Sequence, residues 1–218
     1  MRLLLTSAGI RNKIIKNTLV ELLDKKFEEC RMVYIPTAAN TEEGDKGWLI
    51  DDLKRFKDLG LAVIDIVDIS ALPRETILKR FAQADILTFG GGNTFHLMHW
   101  LERQDLRKEI EAMLETKVFI GISAGSMVAT KNLILSDSVR LYDEAKDPVD
   151  SLNGLGFVDF HIRPHYNSPD FPGVNKENLL EIAKDIAEPI YAIDDETAIV
   201  VRDGKIEVVS EGKWEKFD

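Results

Sequence analysis

Cysteine is nearly absent from this sequence, which has one, Cys30, in 218 residues. A single cysteine excludes an internal disulfide, and this is compatible with a reducing compartment such as the cytoplasm. Cys30 immediately precedes the apolar run 32–35. We therefore expect a buried structural thiol at this position rather than a nucleophile.

Long apolar runs are absent too. The N-terminal segment 1–5 resembles the opening of a signal peptide, but its apolar run stops at Thr6 and is too short for the core of one. No stretch reaches the length of about 20 residues that a membrane-spanning helix needs. The net charge is −10, with 38 acidic against 28 basic residues, so the concentrated positive surface that binds nucleic acid is not expected. We expect a cytoplasmic protein that has neither nucleic acid nor a membrane as its partner.

The first two thirds of the chain alternate short apolar strands with amphipathic helices. Strands are predicted at residues 2–6, 31–35, 61–67, 85–89 and in the run that leads from Lys117 to Ser123, and the segments between them carry apolar residues at helical spacing. This alternation predicts an α/β fold with a doubly wound, mostly parallel sheet that has helices on both faces. In such sheets the ligand crevice lies beyond the C-terminal ends of the strands.

The pattern is less regular after Thr130. We predict a short strand at 133–135, a charged loop at 136–150, a strand at 155–163, a helix at 175–187 and a strand at 189–193. Asp203 and Gly204 form a strong turn signal between strands at 197–202 and 205–210, so the C-terminus is predicted to form an antiparallel hairpin. No linker separates these parts, and residues 1–218 are expected to form a single domain.

The segment from Gly121 to Gly125 fits the G-x-S-x-G pattern of a nucleophile elbow, with Ser123 at its centre. The glycines are needed because a strand that turns sharply into a helix leaves no space for neighbouring side chains. The helix that begins beside Ser123 directs unpaired N–H groups and a positive dipole end toward the same place. This combination predicts a serine hydrolase.

A serine hydroxyl needs a base, which is usually a histidine held by a carboxylate. Of the four histidines, His96 and His99 share a helix with apolar neighbours and fit a packing role, and His161 lies inside a strand. His165 follows Pro164 at the end of a strand. If that strand is parallel to the one before Ser123, the imidazole lies at the same edge as the serine, so His165 is the predicted base.

Two segments offer a carboxylate for this histidine. Glu196 follows the strand that ends at Ile193 and ranks first, with Asp194 and Asp195 as local competitors. Asp137 follows the helix of the elbow and is the second candidate. Charged clusters of this kind are also common as solvated loops.

Gly90, Gly91 and Gly92 follow another predicted strand. A phosphate-binding loop is one interpretation, but neither a G-x-G-x-x-G pattern nor a P-loop lysine is present. An oxyanion hole fits better, in which the N–H of Ala124 pairs with that of Gly91 or Gly92. The predicted chemistry requires no cofactor and no metal.

Four segments in order carry a family resemblance: residues 89–95 (FGGGNTF), 121–126 (GISAGS), 163–166 (RPHY) and 193–198 (IDDETA). With these, the sequence resembles the peptidase E family of serine peptidases, which includes aspartyl dipeptidases and the related cyanophycinases. The resemblance implies a fold similar to class I glutamine amidotransferases. It also implies Ser123 as nucleophile, His165 as general base and an acidic third member, with Glu196 and Asp137 both near positions proposed for that role.

Aspartyl dipeptidases are similar in cleaving dipeptides that have an N-terminal aspartate, and they hold the substrate carboxylate with a basic residue. The segment after Gly173 contains Lys176 but no arginine. We therefore predict a serine peptidase acting on short peptides, possible substrates being dipeptides with N-terminal Asp. A hydrolase of another amide or ester, and a non-catalytic binding protein, are the alternatives. Monomer and homodimer are both left open.

Overall fold

The structure is a computed structural model that describes residues 1–144 and 152–218. Its strands are β1 (Arg2–Thr6), β2 (Arg31–Ile35), β3 (Val63–Ile66), β4 (Ile86–Phe89), β5 (Val118–Ile122), β6 (His161–Arg163), β7 (Ile190–Ile193), β8 (Thr197–Arg202), β9 (Lys205–Ser210) and β10 (Trp214–Phe217). Its helices are α1 (Lys13–Leu23), α2 (Gly47–Asp58), α3 (Arg74–Ala82), α4 (Thr94–Arg103), α5 (Arg107–Met113), α6 (Ala124–Met127), α7 (Leu135–Tyr142) and α8 (Lys176–Ala183).

The main sheet has seven strands in the order β3-β2-β4-β5-β1-β8-β9. The five strands from β3 to β1 run parallel, so their C-terminal ends share one edge. The predicted hairpin is confirmed, and it extends the sheet because β8 pairs antiparallel with β1. The predicted doubly wound, mostly parallel α/β fold is therefore confirmed.

Both faces of the central strands of the main sheet are buried, which explains why β1, β4 and β5 are almost continuously apolar. Side chains alternate along β1: Leu3 and Leu5 pack into one core cluster, and Leu4 packs into a second cluster on the other face. Helix α1 covers the second face with Ile15 and Leu19. Cys30 lies in the same cluster and is fully buried, as predicted for a structural thiol.

A second sheet of three strands, in the order β10-β7-β6, carries the segments that precede His165 and Asp195. Strands β6 and β7 are parallel, and β10 is antiparallel to β7. The strand before His165 thus lies in a different sheet from the strand before Ser123. Residues 155–158 of the predicted strand instead lie beside the segment that follows α6. There the Leu155 N–H donates to Val128 O, and Val158 forms an isolated parallel bridge with Thr130.

The segment after Leu133 also differs from the prediction. Where a short strand and a charged loop were expected, helix α7 forms, because Ser138 and Leu141 bury one face at helical spacing. The helix ends at Asp143, whose φ of +57° is left-handed. Residues 145–150 of the predicted loop lie outside the described residues. In the parts of the chain that the structure does describe, no helix is long and apolar enough to cross a membrane.

Candidate active site

Ser123 lies at a sharp junction between β5 and α6. Its φ of +50° and ψ of −112° are unusual for a residue with a side chain. A Cβ at Gly121 would lie 2.6 Å from Gly125 O, and a Cβ at Gly125 would lie 2.0 Å from Phe89 O, so both positions require glycine. The Ser123 N–H donates to Thr6 O at 3.0 Å and ties the turn to the end of β1. This is the strained strand-to-helix turn that the sequence pattern predicts.

His165 connects Ser123 with Asp195. The His165 Nε2 atom lies 2.9 Å from Ser123 Oγ, and Nδ1 lies 2.9 Å from Asp195 Oδ1. We assign the ring proton to Nδ1, because an ionised carboxylate can only accept, and this leaves Nε2 free to accept from the serine hydroxyl. The ring of Phe171 stacks on the imidazole with centroids 4.3 Å apart and planes at 16°. The three side chains form a continuous Ser-His-Asp arrangement.

The two sheets each contribute half of this arrangement. The main sheet supplies Ser123 at the end of β5 and, at the end of β4, the glycine loop, which consists of Gly90, Gly91 and Gly92. The second sheet supplies His165 two residues after β6 and Asp195 two residues after β7, and these strands are neighbours. Strands β1, β4 and β5 of the main sheet and the parallel pair of the second sheet therefore end at one crevice.

The turn between β7 and β8 decides which acid reaches the histidine. Asp194 Oδ1 accepts the Glu196 N–H and the Thr197 hydroxyl, so Asp194 caps the turn. Asp195 points to His165. Glu196 points the other way, where its carboxylate accepts from Asn12 Nδ2 at 3.1 Å and from Arg11 Nε at 3.4 Å. From the sequence, Glu196 ranks first for contact with His165, but the turn geometry gives that contact to Asp195.

Asp137 does not contact the histidine either. Its Oδ2 accepts from Arg163 Nη2 at 2.8 Å, in an ion pair whose members are both largely buried. Because α7 forms where a loop was predicted, Asp137 sits in the first helical turn and faces β6. Its contact stabilises the strand that precedes His165 without touching the imidazole.

Burial and hydrogen bonding act in opposite directions on Asp195. Burial opposes ionisation of its carboxyl group, but hydrogen bonds from His165 and Ser7 outweigh it and lower the pKa of Asp195 below its ordinary value. The carboxylate is therefore charged at neutral pH, in the state that orients and stabilises an imidazolium.

The glycine loop lies against Ser123. A Cβ at Gly91 would lie 3.4 Å from Ser123 Cβ, which is ordinary contact, so this backbone passes directly beside the nucleophile. Gly92 has a φ of +125°, and a Cβ there would lie 2.2 Å from Ala38 O. Only glycine fits at Gly92, and both residues line the same cavity as Ser123.

That cavity has a volume of about 430 Å³. Trp48, Met127 and Phe171 contribute apolar wall. Its charged lining residues, apart from His165 and Asp195, are Glu42, Asp51, Asp52, Glu144, Asp170, Arg11 and Arg55. Arg55 pairs with Asp52 and Arg11 with Glu196, so carboxylates predominate among the remaining charges.

Two of these acids have a raised pKa. Burial raises the pKa of Asp52 to about 7, despite an ion pair with Arg55 at 3.0 Å that acts in the opposite direction. Burial likewise raises the pKa of Glu144, against hydrogen bonds that lower it. Glu144 Oε1 accepts the N–H and the hydroxyl of Thr94, each at 2.8 Å, whereas Oε2 is enclosed.

Other sequence candidates lie away from this chemistry. Lys176 pairs with Glu215 on the surface and is not part of the cavity lining. His96 and His99 lie on α4 with their rings against Trp100. His161 is buried in β6, and burial lowers its pKa to about 4.

Sequence reasoning missed Ser7 and Phe171. Ser7 directly follows β1, whose C-terminal end lies beside that of β5, so the strand-end argument that found Ser123 could also have found Ser7. Phe171 lies in an irregular loop with no periodic signal, and the sequence offered no comparable indication for it.

Comparison with known proteins identifies a family that the chain matches. Residues 3–209 match the model of peptidase family S51. The chain is 31% identical over 171 residues to the uncharacterized peptidase PM1590 of Pasteurella multocida, covering 78% of this chain and 80% of that protein. It is 34% identical over 134 residues to peptidase E of Shewanella baltica OS155, covering 59% of this chain and 54% of that protein.

Solved structures agree with the fold. A crystal structure of a Listeria monocytogenes EGD-e protein assigned to peptidase E superposes with a TM-score of 0.79 at 25% identity, covering 97% of this chain and 98% of the other. A peptidase from an acI-B1 actinobacterium gives a TM-score of 0.71 at 22% identity, covering 99% and 90%, and supports the fold alone. The chain therefore belongs to peptidase family S51 and is a peptidase of the serine type.

Proposed function

We propose that this peptidase cleaves short peptides through an acyl-enzyme on Ser123, with His165 as the base and Asp195 as the acid. The observation that carries the proposal is the unbroken chain of contacts from Ser123 Oγ through both imidazole nitrogens to Asp195 Oδ1. Each link has the length of an ordinary hydrogen bond, and the tautomer it requires is the one that catalysis needs.

In this mechanism Ser123 Oγ attacks the carbonyl carbon of the scissile amide while its proton passes to His165 Nε2. The carbonyl π electrons move onto oxygen, and the N–H of Ala124 with that of Gly91 or Gly92 stabilises the oxyanion. His165 then donates its proton to the leaving amine as the C–N bond breaks. Water then attacks the ester carbonyl of the acyl-enzyme by the same steps, with His165 again as the base. This releases the carboxylic acid and restores the Ser123 hydroxyl.

The charge of the cavity supports peptides that present a free amino terminus. Among the lining residues that the structure describes, carboxylates predominate once the two arginine ion pairs are set aside, and Glu144 is one of these acids. A substrate ammonium group beside such carboxylates replaces lost hydration with charge-assisted hydrogen bonds. The cavity volume of about 430 Å³ suits a small substrate rather than a folded one.

Preference for an N-terminal aspartate requires a cation for the substrate side chain. Lys176, the sequence candidate, is distant from the cavity lining, whereas Arg11 and Arg55 belong to it. We propose that one of these guanidinium groups would bind an aspartate side chain if the protein has this specificity. A cytoplasmic location is also proposed, in keeping with the buried free thiol of Cys30.

A panel of dipeptides and tripeptides, each tested as the free amine and as the N-acetyl derivative, tests the function. Hydrolysis by the wild-type protein, loss in Ser123→Ala and lower kcat/KM for the acetylated peptides are expected. Cleavage of simple esters with no cleavage of any peptide would replace the proposal with an esterase. Equal turnover by wild type and Ser123→Ala would remove Ser123 from the mechanism.

A further inference from the structure

Ser7 contacts both the base and the acid of the proposed triad. Its Oγ donates to Asp195 Oδ1 at 2.6 Å and accepts the backbone N–H of His165 at 2.8 Å. The same oxygen lies 3.2 Å from His165 Nδ1. Ser7 is completely buried, so water cannot replace these contacts without rearrangement.

The hydrogen-bonding capacity of a serine hydroxyl matches this position. One O–H and two lone pairs allow Ser7 to donate to the carboxylate while it accepts from the histidine backbone. A hydrogen bond to a charged acceptor in a buried position is both short and directional. The hydroxyl therefore fixes the orientation in which Asp195 Oδ1 faces His165 Nδ1.

The second contact acts on the backbone. His165 has a φ of +63°, a conformation that is unfavourable for a residue with a side chain. Its N–H is held by Ser7 Oγ, and the stacked ring of Phe171 restrains the imidazole. One hydroxyl thus supports the strained histidine and orients its acid.

Ser7 also joins the two sheets at the crevice. It follows β1 of the main sheet, whose Thr6 O holds the Ser123 N–H, whereas His165 and Asp195 belong to the second sheet. A change in the spacing of the sheets would separate the nucleophile from its base. We propose that Ser7 is a positioning residue that holds His165 and Asp195 in register with Ser123.

This inference rests on the proposed triad, and its test uses the second-order rate at which a fluorophosphonate labels Ser123. Ser7→Ala is expected to label about 10–100-fold more slowly than wild type, because small displacements of a catalytic group cost about this much. Ser7→Cys keeps a weak donor and should fall between the two. If wild type is not labelled, the triad proposal fails, which is distinct from a failure of the Ser7 inference alone.

A double-variant cycle separates positioning from structural support. In the Asp195→Asn background, Ser7→Ala should change the labelling rate by less than about threefold, because residues that act as a unit are non-additive. Thr37→Val is the matched control, since the buried Thr37 hydroxyl likewise donates to a carboxylate, Asp68 Oδ1, and accepts a backbone N–H, that of Ile69, outside the cavity lining. It should lose thermal stability without the large loss of labelling rate.

Two results would overturn the inference. One is a labelling rate within about twofold of wild type for folded Ser7→Ala, or for Ser7→Cys if the alanine variant does not fold. The other is a further fall of about 10–100-fold in the labelling rate when Ser7→Ala is added to Asp195→Asn, which would show that Ser7 acts independently of Asp195.

Discussion

Asp195 Oδ1 lies 2.9 Å from His165 Nδ1, and the adjacent carboxylate, Glu196, is bound instead by Asn12 and Arg11. We expect Asp195→Asn to reduce kcat by about 10³–10⁴-fold, because an amide stabilises the wrong imidazole tautomer and cannot balance an imidazolium. Glu196→Gln should keep kcat within about threefold of wild type. Steady-state kinetics on one peptide compares both variants, and the reverse order of loss would restore Glu196 as the acid.

The glycine loop offers a matched pair. Gly91→Ala adds a methyl group 3.4 Å from Ser123 Cβ with no backbone clash, so kcat/KM should fall about tenfold or more while stability changes little. Gly92→Ala forces a Cβ to 2.2 Å from Ala38 O at a φ of +125° and should destabilise by more than about 2 kcal/mol. Thermal melts beside kinetics separate the effects. Unaltered kinetics for Gly91→Ala would argue against its place beside the oxyanion.

Glu144 provides a test of substrate charge. Glu144→Gln preserves an acceptor for Thr94 but removes the negative charge that the carboxyl group carries at pH values above its raised pKa. We expect KM for free-amine peptides to rise about tenfold, with little change for their N-acetyl derivatives. The ratio of the two KM values is the measurement. An equal rise for both substrate series would show that Glu144 does not contact the ammonium group.

Asp52 predicts a pH dependence of stability. Burial raises its pKa from the ordinary 3.8 to about 7. The contribution of Asp52 to the free energy of unfolding is therefore complete below pH 4 and is lost as the pH rises through about 7. Asp52→Asn lacks this loss. The free energy of unfolding of the variant minus that of wild type should therefore increase between pH 4 and pH 8, by at most about 4 kcal/mol. Denaturant titrations across this range measure the gain, and a constant difference would contradict the raised pKa.

The sequence alone predicts those elements and site residues that depend on neighbouring positions in the chain. Ser123 and Gly91 are recognisable because a sharp turn beside a nucleophile leaves few allowed residues, and strands β1, β2 and β4 were predicted within one residue. His165 was found from its place after a strand, although that strand belongs to a different sheet. The family resemblance agreed with these positions.

What could not be predicted depends on the direction of single side chains. Asp194, Asp195 and Glu196 are consecutive carboxylates, and only the turn hydrogen bonds decide that Asp195 faces the histidine. Asp137 was misplaced because the amphipathic pattern of α7 was read as a charged loop. Ser7 resembled an ordinary turn residue, since its role comes from contacts more than 150 positions away in the chain.

The central claim is that His165, held by Asp195, activates Ser123 as a nucleophile. Treating the folded protein with a fluorophosphonate and mapping the adduct by peptide mass spectrometry tests it most directly. The account predicts one stoichiometric adduct on Ser123, no adduct in Ser123→Ala, and labelling slowed by about 10³-fold or more in His165→Ala. Folded wild-type protein that remains unlabelled, or an adduct on another residue, would contradict it.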